Sequence, residues 1–384
     1  MKSRILREFE SMITIKSIKT IVYRYPLKSP VQTSFGIMSN RPMVLVRIED
    51  KQGDIGWGEI WCNFPNVGAE HRARLADNVL TPILLSKSYD DATDVFNDLT
   101  KKTWILGIQT GEYGTIAQCI AGFDTAIHDL VAKKIGQPIW KMLGGVNNKV
   151  LVYASGINPN QAAEMGRKSL EMGINRLKLK IGFGNSIDMK NLTTLREMIG
   201  ENGRLMADVN QAWSIDEACV NISELKKFKL EWLEEPIPAD RPLAEWKQLE
   251  GIAPMPLAAG ENLIGMNSFQ VAIENKILSV IQPDLAKWGG FTCCVPIARA
   301  IIAAGLNYCP HYLGGGIGLI ASGHALAAVG GDGMLEVDIN ENPLRTELLG
   351  EFLSKDPGKA VLGDLPGLGV HINLNAIDRY KVLH

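Results

Sequence analysis

RLKLKIG, Arg176 to Gly182, is the stretch on which the fold turns. As an extended strand it places Arg176, Lys178 and Lys180 on one side and Leu177, Leu179 and Ile181 on the other. The leucine side suits packing against helices. A strand buried on both faces carries apolar residues on its second side too. Two lysines there call for a polar cavity, because an unpaired buried charge is costly.

Seven more stretches of similar length surround it. From about residue 149, apolar runs alternate with helix-length patterns: VLVYASG (150–156), RLKLKIG, RLMADVN (204–210), LEWLEEP (230–236), PLAAGEN (256–262), VIQPDLA (280–286), NYCPHYL (307–313) and MLEVDI (334–339). All but the last precede a helix-like segment. Alternating strands and helices imply parallel pairing, and eight strands imply closure into a barrel. The fold class is α/β. The first part, to about residue 145, reads instead as α+β. ITIKSIKTIVYRYPL (13–27) and MVLVRIED (43–50) read as strands, EDKQGD (49–54) as a hairpin turn before IGWGEIW (55–61), and TIAQCIAGFDTAIHDLVAKKIG (115–136) as a helix. Residues 1–12 are charged throughout and read as a flexible extension.

Lys180, Asp208, Glu234, Glu261, Asp284, His311 and Glu336 each fall near the C-terminal end of a strand, at steps of 28, 26, 27, 23, 27 and 25 residues. Each step is one β/α unit. In a barrel those strand ends share one mouth, so seven distant residues converge on one pocket. Asp208, Glu234 and Glu261 come from three consecutive strands. Three carboxylates in one place repel one another and need a cation. An all-oxygen set without His or Cys suits Mg²⁺ rather than zinc. In WLEEP, Leu233 belongs on the helix side, so Glu234 rather than Glu235 faces inward. Asn210 shares the face of Asp208. A lysine beside a divalent cation and a second lysine has its ammonium form disfavoured, which suits a general base. Lys180, nearer the strand end, is the candidate base, and Lys178 offsets substrate charge. Asp284 and His311 lie on neighbouring strands, so the carboxylate can orient the imidazole as a second acid/base. Glu336, if protonated, could donate to a substrate oxygen. YLGGGIG (312–318) makes room for substrate more readily than it cradles phosphate, since it lacks the P-loop lysine.

The 384 residues carry a formal net charge of −2, which gives no basic field for nucleic acid or an anionic membrane. The N-terminus has no apolar signal core, and the longest apolar run, VPIARAIIAAGL, is too short to span a bilayer. Six cysteines without metal spacing read as reduced thiols. The expectation is a cytoplasmic protein acting on a small molecule.

On these motifs the chain resembles the enolase superfamily, specifically its mandelate racemase subgroup. LKLKIG is similar to the family's Lys-x-Lys strand, DVNQAW, WLEEP and GEN to its three metal-ligand motifs, and QPDLAKWGG carries Asp284 where muconate-lactonising relatives carry a lysine. The resemblance implies a modified TIM barrel, (β/α)7β, over residues 146–345. It implies a capping domain over 13–145, joined by the tail 346–384, and one Mg²⁺ per site. It implies mobile capping loops at Gln32–Asn40, with Phe35, and at Ile60–Asn66, with Trp61. It also implies a homo-oligomer, from dimer to octamer. The reaction it implies is removal of the α-proton of a carboxylate substrate to give an enediolate. β-Elimination of water from a sugar acid is the favoured outcome. Racemisation, epimerisation, closure of a sugar lactone and loss of an amine remain open, as does a metal-stabilised binding protein on the same scaffold.

Overall fold

The computed structural model describes residues 13–33, 36–350 and 356–384; the expected extension at 1–12 and Phe35 lie outside them. Strands β1 (Ile13–Thr33), β2 (Gly36–Asp50) and β3 (Ile55–Ile60) form an antiparallel meander, with β4 (Ser88–Tyr89) paired to the start of β1. The β2–β3 turn has Gly53 at φ +90°, a conformation that favours glycine. Alternation divides the sheet. Ile21, Tyr23, Tyr25, Met43, Leu45 and Trp57 pack toward the barrel. Val22, Val44, Val46, Ile48 and Ile60 pack in a second cluster with helices α1 (Ala92–Thr110) and α2 (Tyr113–Lys134). The close fit of β3 on α2 depends on small residues. A Cβ at Gly58 would lie 1.9 Å from the Gly122 carbonyl oxygen, and one at Gly56 the same distance from that of Ala126.

The segment read as a capping loop at Gln32–Asn40 is instead the tip of the β1–β2 hairpin, where Val31 pairs with Met38 and Thr33 with Gly36. Its apolar residues alternate, Val31 and Met38 being buried, so strand pairing wins over loop. The register slips between Pro26 and Val31, which sets the tip apart from the rest of the ladder.

All eight barrel strands form where their sequences indicate: β5 (Lys149–Ile157), β6 (Arg176–Lys180), β7 (Arg204–Asp208), β8 (Leu233–Glu234), β9 (Leu257–Ala259), β10 (Val280–Ile281), β11 (Asn307–Tyr308) and β12 (Met334–Asp338). They are parallel in the order β11-β10-β9-β8-β7-β6-β5-β12. Seven helices intervene: α3 (Ala162–Glu171), α4 (Asn185–Ile199), α5 (Ile215–Glu224), α6 (Leu243–Ile252), α7 (Met266–Asn275), α8 (Gly290–Ala303) and α9 (Gly316–Val329). This is the (β/α)7β pattern. Ser214 and Glu217 start α5 with a reciprocal capping box. β11 and β12 meet without a ladder: the Met334 N–H reaches the Cys309 Sγ at 3.4 Å, and Gly333 lies against the Tyr308 carbonyl. After the short helix α10 (Pro343–Leu349) the tail comes back. β13 (Lys359–Val361) pairs antiparallel with β5, and β14 (Lys381–Val382) with β1.

Helix α9 is buried on every side except at its last residue, as its sequence GIGLIASGHALAAV requires. It carries His324, whose Nδ1 accepts from the Trp140 N–H at 3.0 Å while Nε2 donates to the Leu368 carbonyl at 2.9 Å. Nδ1 can accept only while the ring is neutral, and burial lowers its pKa to about 4. The unfolded chain binds this proton below ~6.5, whereas the folded chain does not until about 4. Stability is therefore complete above ~6.5 and declines as pH falls through that window. Denaturant titrations of His324→Gln should show a pH slope over this range smaller by up to one proton, about 1.4 kcal/mol per unit.

Among the described residues all six cysteines are free, and no helix is long and apolar enough to cross a membrane.

Candidate active site

The ladder places Lys180 beside Asp208 and Asp208 beside Glu234, so the ends of β6, β7 and β8 present one row of charges inside the barrel. Below that row Tyr153, Met206, Trp232, Ala258, Val280, Cys309 and Met334 fill the barrel interior. Above it the hairpin tip and the segment after β3 close a cavity lined by Val31, Thr33, Met38, Arg41, Trp61 and Asn63. Lys180, Asn210, Glu261, Lys287, His311 and Asn340 line it from the barrel side. Asp208, Glu234, Lys178, Asp284 and Glu336 do not line this cavity; they are buried and joined to its wall by hydrogen bonds and ion pairs.

Lys178 is the hub of the buried layer. Its ammonium lies 2.6 Å from Glu234, 2.8 Å from Glu336 and 3.8 Å from Asp208. Burial alone would lower its pKa, but these carboxylates hold it well above the ordinary lysine value. Glu234 also accepts from the Trp232 indole at 3.1 Å and the Gln282 amide at 2.7 Å. Burial and the charges of Asp208 and Glu336 still push its pKa up to about 7, against the pull of Lys178. Lys180 donates to the Asn210 side-chain oxygen and lies 3.4 Å from Asp208. Asn210 in turn donates to Asp208 through its backbone at 2.8 Å and its side chain at 3.0 Å. Asn210, Gln211 and Glu235, just past β7 and β8, have φ of +48°, +65° and +38°, left-handed values that cost energy for residues other than glycine.

On the far wall His311 Nδ1 donates to Asp284 at 2.7 Å, and Asp284 is fixed by the backbone N–H groups of Ala286 and Lys287. Its Nε2 lies 3.3 Å from Glu261 and 3.8 Å from Glu336. Burial would lower the imidazole pKa, but Glu261, Glu336 and Asp284 raise it to about 9. Glu261 is depressed, with His311 and Lys287 outweighing burial. Burial favours the neutral form of Glu336, but Lys178 and His311 bring its pKa below the ordinary value, and it accepts from Ser155 and from the Tyr312 N–H at 3.0 Å. Both of these bonds make it an acceptor.

Several participants carried no sequence signal strong enough to be singled out. Lys287 donates to Glu261 at 2.9 Å and to the Asn262 oxygen at 2.7 Å, and stands 4.9 Å above the Trp61 ring. It lies one helical step after Asp284 in QPDLAK, the only clue available. Glu235 is 1 % exposed and is bonded by the Asn262 amide at 2.8 Å. Burial, and then the charges of Glu261 and Asp208, raise its pKa well above the ordinary value.

Asp208, Glu234, Glu261, Asp284 and Glu336 are interleaved with Lys178, Lys180, Lys287 and His311. The donor atoms of the carboxylates are the hard oxygens that Mg²⁺ prefers. Each carboxylate of the expected triad is turned toward a cationic side chain. Among the described residues no three His, Cys, Asp or Glu donors stand close enough together to hold a metal in this arrangement.

Residues 16–144 match the mandelate racemase / muconate lactonizing enzyme N-terminal domain, and residues 161–376 the enolase C-terminal domain-like family. A mandelate racemase/muconate lactonizing enzyme from Bordetella bronchiseptica RB50 is 48% identical, with a TM-score of 0.91 over 96% of this chain and 99% of that one. The D-galactarolactone cycloisomerase of Agrobacterium fabrum is 28% identical over 96% of this chain and 99% of its own length. A variant of L-talarate/galactarate dehydratase liganded with Mg and L-glucarate is 25% identical, with a TM-score of 0.85 over 98% of this chain and 93% of that one.

Proposed function

Because the chain belongs to the mandelate racemase/muconate lactonizing enzyme family of the enolase superfamily, we propose that it removes the α-proton of a hydroxylated carboxylic acid and expels a β-hydroxyl as water. The observation that carries this is the pairing of Lys180 and His311. Two acid/base groups from β6 and from the end of β11 face one cavity, with carboxylates arrayed between them. The similarity to a sugar-acid dehydratase and a sugar-lactone cycloisomerase supports a sugar acid as substrate.

Asp208, Glu234 and Glu261 are the residues that would hold Mg²⁺, which would supply positive charge to the substrate carboxylate. Lys180 is the base. Its Nζ lies 3.4 Å from Asp208, and the residue lines the cavity that His311 also lines. Lys178, held by Glu234 and Glu336, keeps a fixed positive charge beneath the carbanion as it delocalises onto the carboxylate. His311, whose protonated form Glu261, Glu336 and Asp284 favour against the pull of burial, is the acid. It delivers a proton to the departing hydroxyl while Asp284 holds the ring. The enol product then tautomerises to a 2-keto acid. The buried, water-poor layer strengthens each of these charges.

Six free thiols support a reducing, cytoplasmic setting. The exposed Trp104, Ile105 and Ile108 of α1, near Tyr113, Ile264 and Met266, support self-association.

A panel of hydroxy acids in D₂O with MgCl₂ tests the reaction. The expected result is deuterium at the α-carbon or its loss into a 2-keto product, abolished by EDTA. Exchange with no keto product would make the enzyme a racemase or epimerase. No exchange with any acid would remove α-proton abstraction altogether.

A further inference from the structure

Strand order fixes where the two ends of a substrate lie. β8, which carries Glu234, and β12, which carries Asp338, are four places apart in an eight-stranded barrel, so they stand opposite one another. The carboxylate-rich side is β7 to β9. The opposite side receives Arg41, which comes from β2 of the other sheet and spans 297 residues to reach Asp338 Oδ2 at 2.6 Å.

Arg41 is 2 % exposed and lines the same cavity as Lys180 and His311. Its hydrogen bonding is incomplete. Nη2 serves Asp338, Nη1 reaches only the Met38 thioether at 3.4 Å, and the Nε–H has no acceptor. Arg345 approaches the same Asp338 at 3.8 Å and donates to the Asn340 carbonyl at 3.0 Å. Two buried guanidiniums thus share one carboxylate. Glu59, the further acid acting on Arg345, is engaged by the Gly315 and Gly318 N–H groups, and burial raises its pKa. A buried cation with an unused donor is costly unless an anion completes it. A second orphan donor lines the same cavity: the Trp61 Nε1–H is buried without a partner. Its ring is flanked by Lys287 at 4.9 Å and Arg72 at 5.5 Å.

We infer that Arg41 receives a carboxylate at the far end of the substrate, so that the substrate is a dicarboxylic sugar acid. This rests on the α-proton reading above, which places the reacting carboxylate on the β7–β9 side. One uncompensated positive charge matches one carboxylate; a phosphate monoester would bring nearly twice that charge.

The test uses the full chain with Mg²⁺ and the stereoisomeric hexarates, each against its hexonate, as galactarate against D-galactonate. The members of each pair differ only at C6, carboxylate against hydroxymethyl. Wild type should turn over its best diacid with kcat/KM at least ~10²-fold above the matching monoacid. Arg41→Met should erase that ratio through KM, and Arg41→Lys should restore part of it. A wild-type preference for monoacids, or a diacid preference that survives both Arg41 variants, overturns the assignment. Calorimetric binding of the same pairs separates the two readings. Diacid binding lost in Arg41→Met, without exchange in any acid, keeps the Arg41 assignment and removes the reaction. Equal binding of both members in wild type and variant removes the Arg41 assignment whatever the reaction.

Discussion

Lys180→Met should fold like the wild type and lose both α-proton exchange and product formation by at least ~10³-fold. General base catalysis contributes ~10²–10⁴-fold, and nothing nearby can take over the role. Lys178 is the closest alternative, but three carboxylates hold it as ammonium below the cavity floor. Methionine keeps the length and the apolar stem. Asp208 loses one ion pair but retains the Lys178 contact and two donors from Asn210. Melting curves should therefore change little while deuterium incorporation, followed by NMR, disappears. Exchange at wild-type rates would mean that another group removes the proton.

His311→Asn should divide the reaction instead of stopping it. Asparagine can still donate to Asp284, so the wall of the site remains, but no group is left to protonate the departing hydroxyl. Formation of the 2-keto product should drop ~10²–10⁴-fold, while α-deuterium exchange through Lys180 continues within about tenfold of wild type. Measured on the same sample, the two rates separate the base from the acid. Equal loss of both would assign His311 to proton removal. Unchanged product formation would leave it without a chemical role.

The barrel was legible because its signals are local and repeat. Seven of the eight strand ends announce themselves by an ionisable residue in an apolar run, and parity chose Glu234 over Glu235: Trp232 and Glu234 point inward while Leu233 packs in the outer core. What sequence could not supply is contact between distant segments. Arg41 meets Asp338 across 297 positions, and no periodicity encodes such a pair. The surroundings of Glu336 are equally beyond the reach of sequence, because Lys178, His311 and Ser155 come from three other β/α units. The family resemblance implies a loop at 32–40, whereas the pairing of Val31 with Met38 makes the described part of it strand.

The wall of the barrel is knitted unevenly. From β11 through β10 and on to β5 and β12 every neighbour is laced by backbone hydrogen bonds, but β11 and β12 close the ring without a ladder, through packing, a thiol contact and the Tyr312 N–H on Glu336. His311 stands at one lip of that seam and Glu336 at the other, whereas Lys180, Asp208 and Glu234 sit in the laced half. Breathing motions will gather where the stitching is missing. The proton-delivering partner is thus mounted on the hinge-like edge of the ring and the charge-stabilising row on its stiff arc, so a guest that props the seam apart would slow expulsion of the leaving group before it slowed removal of the proton.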